Sequence, residues 1–227
     1  MTANVNKFVA EFVGTFALIF IGAGAIITDH VTGGQIGIVG IALAHGLTVA
    51  TMVSAIGHIS GGHINPAVTI AFLATRRIPP LTGALYIVAQ IIGASLAAFF
   101  LATIFSQEQW QAVNLGTPGV ANITVGTAIA VEAVLTFFLV FVIFGTAVDP
   151  MGPKGIAGFG IGCVVMLDIF MGGPLTGAAM NPARAFGPAL ISGSWQDHIL
   201  LYWVGPITGA LVAGSLYHFV LRSDSDE

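Results

Sequence analysis

Asn65-Pro66-Ala67 and Asn181-Pro182-Ala183 are two copies of one tripeptide, each set in an apolar, glycine-rich stretch. A buried asparagine amide is costly there unless its polar atoms find partners. Asparagine followed by proline is a helix start: the amide oxygen caps free N–H groups and the proline fits the first helical position. Two such starts at equivalent places in two halves predict a pore lined by paired helix N-termini. Arg184 directly follows the second copy, and Glu11 and Glu132 lie inside otherwise apolar segments. A charge at membrane depth costs at least about 2.5 kcal/mol, so each needs a cavity or partners. Arg184 reads either as a pore-lining cation or as an interfacial anchor that snorkels outward. One reading of the two acids is a proton or ion site in a transporter. No nucleophile–base set and no metal-ligand spacing is visible, so no catalytic residue, metal or cofactor is expected.

The elements that must hold these residues are membrane helices. Of 227 residues, 56% are hydrophobic and only 7% charged, against about 25% charged in a soluble domain. Apolar runs at 8–27, 35–55, 81–105, 124–148, 155–171 and 199–221 are mostly near the roughly 20 residues a spanning helix needs. The first is read as a retained helix, since Glu11 sits inside it and no clear cleavage site follows. The short alternating segments of a transmembrane barrel are absent. Between the second and third runs, 57–75 is apolar but broken by Gly57, Gly61, Gly62 and Pro66. A loop in the hydrocarbon layer is tolerated only against protein or a water-filled cavity. A helix over Pro66–Ala74 would be roughly 14 Å long, half a bilayer. Segment 172–190 is its counterpart, and Pro188 predicts that this second half-helix bends or stops early.

The chain also repeats itself. Glu11 and Glu132 sit in similar segments, AEFVGTF and VEAVLTF, and Asn65 and Asn181 follow them by 54 and 49 residues. Each half (about 1–106 and 124–222) holds three spans, an odd number, so the second half enters from the opposite side as an inverted repeat. The join near 107–123 reads as polar and turn-rich. Small residues recur every four positions at Ala42, Gly46, Ala50 and Ser54, and at Gly205, Gly209 and Ala213, which predicts close helix contacts. Trp110, Trp195, Tyr202 and Trp203 fall near the expected interfaces.

Lys7, Arg76, Arg77, Lys154 and Arg222 all fall on one side of a six-span topology, which the positive-inside rule makes cytoplasmic, together with both termini. The opposite loops carry Asp29, Glu108 and Asp197. No basic cluster suggests nucleic acid. The lone Cys163 allows no intrachain disulfide, and the polar tail 223–227 reads as disordered.

With these motifs in view, the chain resembles the aquaporins of the major intrinsic protein family. The resemblance runs from the Ala-Glu-Phe-Val-Gly-Thr of the first span to the Gly-Pro-Ile-Thr-Gly-Ala of the last. It centres on HISGGHINPAVT (residues 58–69) and MNPARAFGP (residues 180–188). It implies an all-α, right-handed six-helix bundle with two re-entrant half-helices, one channel domain over 1–227, and homotetramers with a pore in each subunit. It implies a central constriction at Asn65 and Asn181, whose amides donate to passing water while the helix ends oppose cations and protons. Counting back in the family pattern gives an outer filter of His45, Ile169, Ala178 and Arg184. A packed core histidine with a backbone partner is the alternative for His45. In the family, Glu11 and Glu132 would accept hydrogen bonds from the re-entrant loops, and His63 would line the pore or brace its loop. His58 is a weaker candidate for the same role. Asp168 has two readings, a ligand of the outer-loop backbone or an electrostatic bias on the pore.

Strict water channels usually carry Phe and His at the first two filter positions, and glycerol channels Trp and a second aromatic. The His, Ile and Ala found here are similar to the plant vacuolar-membrane type. The resemblance therefore implies passive water flow in a plasma or inner membrane, with a pore wide enough for ammonia, hydrogen peroxide or urea. Ala185, Ala189 and Tyr202-Trp203 lean towards water; Gly173-Pro174-Leu175-Thr176-Gly177 leans towards the glycerol branch, the runner-up. A secondary transporter is the competing class. Mercury sensitivity in the family often comes from a cysteine where this chain has Ala178, so weak inhibition is expected. The partners implied are water, small neutral solutes and membrane lipid.

Overall fold

The computed structural model describes residues 2–195 and 200–222; Asp197 and the tail 223–227 lie outside the described residues, as does the expected start of the last span. Among the described residues, six helices are long and apolar enough to span a membrane: Asn4–Val31, Gly37–Ser60, Pro80–Ile104, Val125–Val148, Lys154–Thr176 and Leu201–Leu221. Their helical parts are α1 (Thr2–Val31), α2 (Gly37–Ser60), α4 (Pro80–Ile104), α6 (Val125–Ile143), α7 (Ala157–Thr176) and α9 (Leu201–Leu216). Two short helices, α3 (Pro66–Ala74) and α8 (Pro182–Ser192), begin on the two prolines of the repeated tripeptide. The join holds α5 (Gln107–Gln111), closed by a Ser106–Gln109 capping box, and a 3-10 turn at Asn114–Gly116.

Several boundaries differ from the sequence expectation. α2 continues to Ser60 and α7 to Thr176, so Gly57 and His58 belong to a full span rather than to the re-entrant loop. Each helix stops at the next glycine, Gly61 or Gly177, whose φ of 95° or 75° lies in the left-handed region open to glycine. α8 runs through Pro188 to Ser192 instead of stopping early. Proline removes one intrahelical bond, to the carbonyl of Arg184, but Pro182, Ala183, Arg184, Ala185, Gly187 and Ala189 of this half-helix are buried against its neighbours. The spans starting at Val125 and Leu201 both end in a π-helical turn, Phe144–Val148 and Tyr217–Leu221.

The small-residue stripes are where helices meet. A Cβ on Gly46 would strike the Gly162 carbonyl, and one on Gly162 the Gly46 carbonyl, so α2 and α7 touch backbone to backbone. Gly93 of α4 lies against the Phe12 carbonyl, and Gly209 of α9 against the Ala133 carbonyl. Those glycines occupy matching places, 28 residues after Asn65 and Asn181. The crossing of the first and third spans is thus reproduced by the fourth and sixth. The two halves differ in detail but share one plan, and the N-termini of α3 and α8 meet at its centre.

Candidate pore and its two constrictions

Each asparagine caps its own half-helix and reaches across to the other. Asn65 Oδ1 accepts from the Ala67 N–H at 2.8 Å, and Asn181 Oδ1 from the Ala183 and Arg184 N–H groups at 3.0 and 3.3 Å. Asn65 Nδ2 donates to the Met180 carbonyl at 2.8 Å, and Asn181 Nδ2 to the Ile64 carbonyl at 2.9 Å. An amide has two N–H donors, so each asparagine keeps one for whatever occupies the space between them. The accepting carbonyls belong to strained residues: Ile64 and Met180 hold φ at 44° and 50°, a region unfavourable to branched and bulky side chains.

Buried carboxylates hold that strain in place. Glu11 Oε1 accepts from Ser60 Oγ at 2.7 Å and from the His63 N–H at 2.9 Å; Oε2 accepts from the Ile64 N–H at 2.6 Å and Gln90 Nε2 at 2.8 Å. Glu132 Oε1 accepts from Thr176 Oγ1 at 2.6 Å and the Ala179 N–H at 2.9 Å, and Oε2 from the Met180 N–H at 2.7 Å. Both acids are wholly inaccessible to solvent. Tyr86 and Tyr202 complete each bracket by donating to the carbonyls of Ser60 at 2.6 Å and Thr176 at 2.8 Å. Tyr202, which falls near an expected interface, is therefore a buried clamp. The sequence carried a signal for this pair: each tyrosine stands 21 residues after its asparagine. The match is incomplete, because Pro206 occupies the place of Gln90 and leaves Glu132 one donor fewer.

A continuous cavity of about 600 Å³ runs past both asparagines. Its lining brings together His45, Ile169, Ala178 and Arg184, with His63 and His58 further along and Lys154 at the far mouth. One wall is made by the two re-entrant loops; the other is apolar, with Val49, Leu139, Ile143 and Val165. Among the described residues, no aspartate or glutamate lines it. Arg184 is held by its Nη1, which donates to the Gly116 carbonyl at 2.8 Å. That makes the join a structural part of the pore mouth, with Leu115 wholly buried beside Gly116. A backbone carbonyl leaves no mark in sequence, so this contact was not legible. His45 has both features weighed for it, a backbone partner (Nδ1 2.9 Å from the Ile41 carbonyl) and a place on the cavity wall. Gly22 gives its ring room, since a Cβ there would overlap it. His63 Nδ1 lies 3.1 Å from Thr69 Oγ1, and its ring packs on Phe72 and Tyr86.

Asp168 does not bind the outer-loop backbone. It is buried, makes no hydrogen bond among the described residues, and its Oδ2 lacks a partner. Cys163 is absent from the cavity lining.

The sequence profile of the major intrinsic proteins matches residues 1–217. The chain belongs to that family. Like its other members, it is a multi-pass membrane channel for water or small solutes, and not an enzyme. It is 44% identical to aquaporin TIP4-4 of Zea mays over 94% of this chain and 85% of that one. It is 42% identical to nodulin-26 of Glycine max, over 97% and 79%, and 41% identical to aquaporin-4 of Mus musculus, over 95% and 67%. Among solved structures, the aquaglyceroporin of Plasmodium falciparum superposes with a TM-score of 0.83 at 25% identity, covering 96% of this chain and 97% of that one.

The major intrinsic protein scaffold is two-fold in plan, but its pore wall here is not. Residues at the same offsets from Asn65 as the four outer positions have from Asn181 are Val53, Gly62 and Val68, matching Ile169, Ala178 and Arg184; at His45's offset from Asn65, the second half has Ile161. All of these line the same cavity. The cation and the imidazole thus gather at one end, and the matching positions at the other end are apolar.

Proposed function

We propose that this aquaporin conducts water in single file, down osmotic gradients and without energy coupling. Asn65 and Asn181 form the central constriction, each presenting one unspent amide N–H, with the α3 and α8 N-termini adding positive potential against cations and protons. Arg184, His45, Ile169 and Ala178 form the outer filter. Arg184 and His45 supply its polar contacts, while Ile169 and Ala178 leave an apolar and uncrowded side. That side supports passage of ammonia, hydrogen peroxide or urea beside water. The observation that carries the reading is the pair of cross-bonded asparagine amides in one cavity with Arg184.

The single domain spans 1–227 and assembles as a homotetramer in lipid. Both termini are cytoplasmic, on the side of Lys7, Arg76, Arg77, Lys154 and Arg222, in a plasma or inner membrane. His63 braces the first loop through Thr69. Glu11 and Glu132 act as loop brackets: their oxygens face loop donors and not the cavity, which supports a channel over an ion-coupled carrier.

The second reading is a glycerol or small-neutral-solute facilitator. The small Ala178 and the apolar Ile169 favour it, as does the likeness to a solved aquaglyceroporin. Stopped-flow measurements on proteoliposomes, with parallel water, glycerol, urea and ammonia gradients, separate the two. Fast water flux with little glycerol flux is expected. Glycerol flux comparable to water would install the second reading, and no flux above empty liposomes would refute both.

A further inference from the structure

A second, smaller cavity of about 370 Å³ lies at the far end of α3 from Asn65, lined by Leu73, Arg76, Arg77, Ile78, Pro79 and Pro80. The chain reverses there: the Arg76 N–H donates to the Leu73 carbonyl at 3.0 Å and the Arg77 N–H to the Phe72 carbonyl at 2.8 Å. Arg76 holds the left-handed conformation at φ 55° that glycine usually fills at a helix end. Its side chain is exposed and has no ion-pair or hydrogen-bond partner among the described residues.

Arg77 is partly buried and held from behind. Its guanidinium sits 5.4 Å over the Phe144 ring, Nη2 lies 3.3 Å from His218 Nδ1, and the buried Nε has no partner. Asp149 and Arg222 act on it with opposite sign. Among the described residues, no acid lines the cavity. α4 starts here from Pro79 with no side-chain cap, so its first N–H groups add to the positive potential. The remaining wall is apolar, and Leu81, two-thirds exposed, continues it along the span. Positive charge at the end of a span, joined to an apolar surface running into the membrane, fits an amphiphile with an anionic head.

We propose that this cavity seats an anionic phospholipid of the leaflet on the Lys7–Arg222 side, with its phosphate on Arg76 and Arg77 and its first acyl segment along Leu73, Ile78 and Leu81. The test is native mass spectrometry of the full-length protein in detergent, titrated with phosphatidylglycerol or phosphatidylcholine, for the wild type and Arg76→Gln. Arg76 makes no internal contact that folding needs, and water flux of the variant in neutral vesicles checks its integrity. Phosphatidylglycerol should bind in preference to phosphatidylcholine, and Arg76→Gln should weaken it about fivefold, the effect of one basic side chain at an anionic surface (~1 kcal/mol). Excess inorganic phosphate should fail to displace it. Equal binding of the two lipids, an unchanged preference in Arg76→Gln, or full displacement by phosphate would each overturn the proposal.

Discussion

At the scale of single residues, the proposed selectivity depends on a few polar groups in a largely apolar cavity. Among the described residues, Arg184 is the only Arg or Lys beside the outer positions, and it donates to one carbonyl, that of Gly116. Arg184→Ala removes both the charge and the bulk, so uptake of urea or of cations should rise relative to water in proteoliposomes; unchanged selectivity would remove Arg184 from the filter. His45→Ala should raise the ratio of ammonia or urea flux to water flux, because it deletes a polar wall while Ile169 offers nothing in its place. An unmoved ratio would return His45 to a packing role. Local chemistry made the asparagines legible, since cap and N1 proline are adjacent in sequence. Tyr202 is less legible, because a tyrosine near a span end suits an interfacial anchor or a buried clamp equally. Only its tertiary partner, the Thr176 carbonyl, distinguishes the two.

At the scale of elements, the re-entrant loops are held by the full spans and not by themselves. Two backbone N–H groups and a hydroxyl converge on Glu132. In Glu132→Gln the amide nitrogen can accept from none of them. Hydrogen bonds to charged groups contribute about 1.5–3 kcal/mol each, so a loss of roughly 3 kcal/mol is expected, read as a lower denaturation midpoint together with reduced water flux. Glu11→Gln should act in the same direction on the first loop. Helix contact is a separate requirement. Gly46→Val would push α2 off the Gly162 carbonyl at a cost of about 1–3 kcal/mol, visible as lost thermal stability in detergent. The period-four stripes announced these contacts. The true ends of α2 and α7 were not legible, because residues 56–60 mix Ile, Gly, His and Ser and suit helix or loop equally. Ser60 and Thr176 become helix ends through partners on other spans, Glu11 with Tyr86 and Glu132 with Tyr202.

For the whole molecule, the inverted plan was readable from the odd number of spans per half and the repeated tripeptide. The inequality of the two pore ends was not, because it appears only when Val53, Gly62 and Val68 are found on the same cavity as Ile169, Ala178 and Arg184. The cavity also settles what thiol reagents can reach. Cys163 is off its lining and the loop position on that lining is Ala178, which has no thiol, so mercury should inhibit water flux weakly. Ala178→Cys should confer inhibition that a thiol reverses; strong block of the wild type that survives Cys163→Ser would count against this geometry.

The exchange of hydrogen bonds between Asn65 and Met180, and between Asn181 and Ile64, spans 115 and 117 residues of chain. During synthesis the first re-entrant loop therefore enters the bilayer long before its partner exists. Until residue 181 is in place, the Ile64 carbonyl and the Asn65 amide lack the groups that satisfy them in the finished protein. The cross-bonds between the two loops can form only once the second half has been made. A chain halted before Met180 therefore has the helices of the first half but neither of the two cross-bonds.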